Sequence, residues 1–201
     1  MSLSEVEADY IAELFNVGLG EIAEEVAAII EKEIQISVPN VDTIPSVDVI
    51  VEREKVERQM FGTFASMKLT GEFEGRGLLF FSSPDDKAFA SLISSTKVQD
   101  EKEQDAVIQE LSKVLLGQYV TVMVDLLNLD INCGEIELVH DQLDNYMSKI
   151  GSKNENENVI SITMNFTVSS TDIQCFVVFI NDHQEDEFLL SIKAALQELG
   201  L

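Results

Sequence analysis

Four residues near the start of the chain could do chemistry together: Asp9, Glu13, Asn16 and Gly20. A helix turns about 100° per residue, which sets them at roughly 0°, 40°, −20° and 20° around its axis. They form one narrow stripe of two carboxylates, a carboxamide and a gap. A carboxamide both donates and accepts hydrogen bonds, so Asn16 can fix the direction of a water molecule. A carboxylate such as Glu13 repels anions and pairs with cations. Gly20 leaves room for atoms of a partner. Ile11, Phe15, Ile22, Val26 and Ile29 fall on the far side, at about 200–260°, so the helix is amphipathic and the stripe faces outward. Gly18 falls toward the buried face, where a missing Cβ permits close approach. A glycine inside a helix costs about 0.5–1 kcal/mol relative to alanine, so Gly18 and Gly20 point to close packing or to function. Exposed Glu-x-x-Asn is common on helices and identifies nothing alone; the weight rests on several positions together.

The elements that must hold this stripe follow from caps, periodicity and turns. Ser4 with Glu7 fits a capping box, so the first helix starts near Ser4 and runs to about Lys32. "EIQISVPNVDTI" reads as extended, with Pro39 at an edge or bend. "MFGTFASMKLTG" and "GRGLLFFSSP" read as strands joined by a Gly/Glu-rich turn. "PDDKAFASLISS" reads as a short helix with Asp85 near its start. A charged linker covers about 96–103, and a second long helix about Gln104 to Leu127. "DINCGEIELV", a polar loop through "SKIGSKNENEN", strands "VISITMNFTV" and "QCFVVFIN" and a last helix "DEFLLSIKAALQEL" follow.

The order repeats, each half running helix, strand, strand, strand, helix. A constant offset of 97 places Glu13 on Glu110, Leu14 on Leu111, Gly20 on Gly117, Ile34 on Ile131, Met67 on Met164 and Thr70 on Thr167. A drift of two residues then aligns Phe89 with Phe188. A register kept across so many elements indicates an internal duplication. The expected fold is α+β: two halves, about 4–95 and 104–201, share one sheet with the two long helices packed on it.

Composition narrows the partners. The 37 acidic and 13 basic residues leave a net charge of −24, which argues against nucleic acid and against anionic membrane surfaces. No apolar run reaches the roughly 18 residues of a membrane span. The acidic N-terminus lacks a signal-peptide pattern, and Cys133 and Cys175 make neither a metal cluster nor a disulfide framework. A reducing cytoplasm is therefore expected. His140 and His183 look isolated and read as surface residues. No P-loop, dinucleotide fingerprint or nucleophile elbow occurs.

The spacing Asp or Ser, three residues, Glu, two residues, Asn, about twenty-two residues, Pro resembles the signature of the CheC-type phosphatases. Here it reads Asp9, Glu13, Asn16, Pro39. "NVGLGEIA" is similar to the family's Asn-x-Gly-x-Gly run, and "LTGEFEGRGLLFF" to its Gly-x-x-x-Gly strand turn. The resemblance covers nearly the whole chain as one domain, and it implies the pseudo-two-fold CheC/CheX/FliY fold. It also implies hydrolysis of the aspartyl-phosphate on the chemotaxis response regulator, CheY. In that reading Asn16 positions the attacking water, Glu13 pairs with a lysine of the regulator, and Asp9 and Gly20 lie against the partner. The Mg²⁺ belongs to the regulator, so no cofactor of the chain's own is implied. The second half departs from the pattern: its stripe is Ala106, Glu110, Lys113 and Gly117, with Lys113 where asparagine should stand. An ammonium cannot accept from water. Pairing of Lys113 with Glu110 at i,i+3 is the plain expectation there, and a degenerate second site the functional one. A non-catalytic adaptor for a regulator or for CheD is the alternative function, and an acidic α+β domain with an unrelated partner a third. The two-half repeat permits a monomer.

Overall fold

The computed structural model describes residues 3–30, 34–37, 39–44, 61–81, 90, 100–150, 159–168, 174–181 and 187–200. Its elements are α1 (Glu5–Ile30), β1 (Ile34–Ile36), β2 (Asn40–Ile44), β3 (Phe61–Gly71), β4 (Gly75–Phe81), α2 (Glu101–Leu127), β5 (Ile131–Gln142), α3 (Leu143–Ile150), β6 (Val159–Val168), β7 (Gln174–Asn181) and α4 (Glu187–Leu199).

Local chemistry sets the helix starts. Ser4 Oγ accepts from the Glu7 amide at 3.2 Å, and the Glu7 carboxylate accepts from the Ser4 amide at 2.7 Å. That reciprocal pair closes the first turn of α1. Asp100 caps α2 by accepting from the Glu103 amide at 2.9 Å. The cap starts α2 at Glu101, inside the stretch 96–103 expected to be linker. Asn128 ends α2 in the left-handed region, at φ 52°. The turn after β3 needs a glycine: Gly71 has φ 108°, and a Cβ there would strike the Asp130 carbonyl.

All pairings among the described strands are antiparallel, in the order β1-β6-β7-β4-β3-β5, with β2 also on β6. This order is its own mirror image under exchange of the halves. Strands β1 and β2 correspond to β5, β3 to β6 and β4 to β7, so the pseudo-two-fold axis passes between β4 and β7. Each half therefore gives its leading strand to the other half: β1 and β2 pair with β6, and β5 pairs with β3.

Side chains alternate across the sheet and build two cores. On one face Ala65, Met67, Leu79, Phe81, Met164, Val177 and Phe179 meet α1, α2 and α4. Phe15 of α1 sits 6.1 Å from Tyr119 of α2 and 5.8 Å from Phe179 of β7, ring centre to ring centre. On the other face Phe64, Leu78, Phe80, Val178 and Ile180 are covered by Leu143, Tyr146 and Met147 of α3. Tyr146 stacks on Phe64 at 4.1 Å.

Two expectations change. The stretch after Val139 does not pass at once into polar loop: β5 continues to Gln142 and α3 follows. Its buried apolar residues match the sheet's second face, which gives this short helix its reason to form. His140 is not isolated: its Nδ1 lies 3.0 Å from Thr63 Oγ1 and its Nε2 3.0 Å from Asp105 Oδ1. It ties β3, β5 and the first turns of α2 together. Apart from Ala90, which is helical and buried, the short helix read at 84–95 lies outside the described residues, as do His183 and the loop at 151–158. No helix among the described residues is long and apolar enough to cross a membrane.

Candidate functional site

Helix α1 lies on the sheet with Ile11, Phe15 and Ile22 inward, each at most 1% exposed. The opposite face carries Asp9, Glu13, Asn16 and Gly20, all exposed. Among the described residues, nothing holds the side chains of Asp9, Glu13 or Asn16 by hydrogen bond or ion pair. The stripe runs over twelve residues, Asp9 to Gly20, about 16 Å of helix from first to last. Its two glycines have separate tasks. A Cβ on Gly18 would lie 2.9 Å from Cγ1 and 3.1 Å from Cβ of Val122, so this glycine lets α1 and α2 touch. A Cβ on Gly20 would meet nothing within 4 Å, so packing does not explain it. Pro39, the last position of the pattern, is buried just before β2.

Val17 and Val6 also stand in the open on α1, at 62% and 50% exposed. Their wheel angles beside the stripe were visible in the sequence. Their openness was not, because it depends on what the rest of the chain leaves uncovered.

The corresponding face of α2 carries Glu110, Lys113 and Gly117. These residues line a cleft of about 700 Å³ between α2 and β5, with Met67 and Ile136 at its floor and Glu135 on its wall. Gln109 spans it, donating to the Ile136 carbonyl at 2.9 Å. The expected Glu110–Lys113 pair is not formed: among the described residues Lys113 makes no ion pair. An exposed pair gains too little to hold two long side chains in one geometry. Cys133 lines the same cleft, and desolvation pushes its thiol up. Among the described residues no three His, Cys, Asp or Glu groups converge to hold a metal.

The site on α1 thus offers a carboxamide, two carboxylates and an open position, without a nucleophile, on a convex helix face. Such a face can orient water and enter a cleft on another molecule; it cannot enclose a small substrate.

No protein-family model matches the chain. The similarity is structural. Thermotoga maritima FliY superposes with TM-score 0.69 at 18% identity, over 96% of this chain and 99% of that one. The chain has the CheC/CheX/FliY fold. A chain of the CheX–CheY–BeF₃–Mg²⁺ complex from Borrelia burgdorferi superposes with TM-score 0.54 at 16% identity, over 87% and 99% of the two chains. The FliM–SpeE complex from H. pylori contains a match with TM-score 0.67 at 9% identity, over 96% and 97%. The CheC/CheX/FliY fold therefore accounts for the chain nearly end to end, including the mirrored sheet and the two long helices upon it.

Proposed function

We propose that the chain hydrolyses the aspartyl-phosphate of a CheY-like response regulator, using α1. The observation that carries this reading is the free Glu13–Asn16 stripe on the outer face of α1, in a fold shared with a CheX structure solved with CheY. Helix α1 enters the regulator's cleft. The Asn16 carboxamide accepts from and donates to one water, aligning it behind phosphorus. Water oxygen bonds to phosphorus as the bond to the aspartyl oxygen breaks. Inorganic phosphate leaves with the water's protons, and the regulator's carboxylate is restored. Positioning is a large part of what phosphoryl transfer asks of a protein, so no nucleophile is needed here. Glu13 would repel the phosphoryl group unless a cation met it, and a lysine of the regulator is that cation. Mg²⁺ is carried by the regulator. Asp9 and Gly20 flank the contact.

The test is decay of the phosphorylated regulator with wild type, Glu13→Ala and Asn16→Ala. Loss of acceleration in both variants is expected; undiminished decay with Asn16→Ala would sink the mechanism. The second reading is a non-catalytic adaptor that docks a regulator, a flagellar-switch partner or CheD. Lys113 in the second stripe and the FliM likeness favour it. Stable capture of phosphorylated regulator without faster decay would select it.

A further inference from the structure

Beside the polar stripe α1 carries an apolar ridge. Val6 and Val17 fall near 60° and 80° on the wheel that places Glu13 at 40°. Steps of four, three and four residues join Val6, Tyr10, Glu13 and Val17 along one side of the helix. Tyr10 is half-buried; both valines are open. One exposed valine is ordinary. Two on one ridge, bracketing the carboxylate of a proposed docking stripe in a chain of charge −24, are not explained by folding. The second half sharpens the point. At offset 97 Val6 becomes Glu103, an exposed acid in the first turn of α2, and Val17 becomes Val114, partly buried against the main core. Among the described residues the open apolar ridge belongs only to the helix that keeps asparagine.

We propose that Val17, supported by Val6, is the specificity-determining contact of α1, seated against an apolar side chain on the receiver-domain face beside the phosphorylated aspartate. This rests on the reading of α1 as the helix that docks a response regulator. Every phosphorylated receiver presents the same phosphoryl group, so Glu13 and Asn16 cannot choose among them. An apolar contact can, because it rewards a matching apolar residue and leaves a polar one desolvated. Burial of Val17 also excludes water from the flank of Glu13, strengthening its pair with a cation.

The experiment titrates the chain against stand-alone CheY-like receiver domains from its own genome, activated with beryllofluoride and Mg²⁺. Val17→Asp is expected to weaken binding of the preferred receiver on the order of tenfold, and Val17→Ile to stay within about twofold of wild type. Binding by Val17→Asp within about twofold of wild type overturns the proposal. So does failure of wild type to bind any receiver, which overturns the docking reading with it. Turnover by Asn16→Ala separates the two: full activity there removes the catalytic role while the Val17 result stands or falls alone. Both valine variants alter an exposed side chain, so matching thermal melts are expected and exclude misfolding.

Discussion

At the residue scale the two glycines of α1 give opposite predictions. Gly18→Ala puts a methyl into Val122, a β-branched side chain that cannot swing aside cheaply. Overpacking of this kind costs about 1–3 kcal/mol, so a lower Tm is expected. Gly20→Ala meets open space and gains helix propensity, about 0.5–1 kcal/mol, so a higher Tm is expected. If Gly20 makes room for a regulator, the same change slows regulator-phosphate decay, and a variant that is more stable and less active is the signature. Lys113→Asn restores the missing carboxamide on α2. A clear gain in phosphatase rate is expected if the second stripe is a degenerate copy of the first. Abolition of wild-type activity by Lys113→Ala would show instead that the lysine works.

At the element scale the start of α1 titrates. The Glu7 carboxyl is held below its usual range, chiefly by the hydrogen bond from the Ser4 amide. Its contribution is present above the unfolded carboxylate pKa and is lost as pH falls through the lowered folded value. Glu7→Ala should therefore lower Tm at pH 7, and the gap to wild type should close in acid. Thermal melts of both proteins from pH 7 down through the carboxylate range measure it, and a gap that does not narrow as pH falls would refute it. The capping box was legible because its partners lie three residues apart. So were β6, an alternating run over 159–168, and β7, a continuous apolar run between Gln174 and Asn181. What local pattern could not show is what depends on distant chain. Helix α3 is only 8 residues long and forms on Phe64 and Phe80, far back in the sequence. The partners of His140 lie 77 and 35 residues away. The stripe of α1 was legible as an angle, while its freedom from other side chains was not.

At the scale of the whole molecule the duplication hides an exchange. The repeat in the sequence shows two similar halves; it does not show that β1 and β2 lie on β6 while β5 lies on β3. Nor does it show that Phe15 of one half needs Tyr119 and Phe179 of the other. Strand exchange leaves each half only a two-stranded hairpin, β3–β4 or β6–β7, without its leading strand and without a complete core. Fragments 1–99 and 100–201 should each lack a cooperative thermal transition, and an equimolar mixture should recover one. A fragment could in principle complete itself by pairing with its own copy, since the pseudo-two-fold would become a true one. The contact at Gly18 argues against this for the first half. The residue matching Val122 there is Glu25, and the one matching Tyr119 is Ile22. A homodimer would press a carboxylate into the apolar contact between the long helices and lose an aromatic partner of Phe15. Val122 is partly buried, and a carboxylate desolvated against Gly18 costs more than the valine it replaces. Sedimentation of fragment 1–99 should therefore show no stable dimer, while the mixture sediments as a one-to-one complex. A cooperative melt of fragment 1–99 alone would show that the halves had kept their independence.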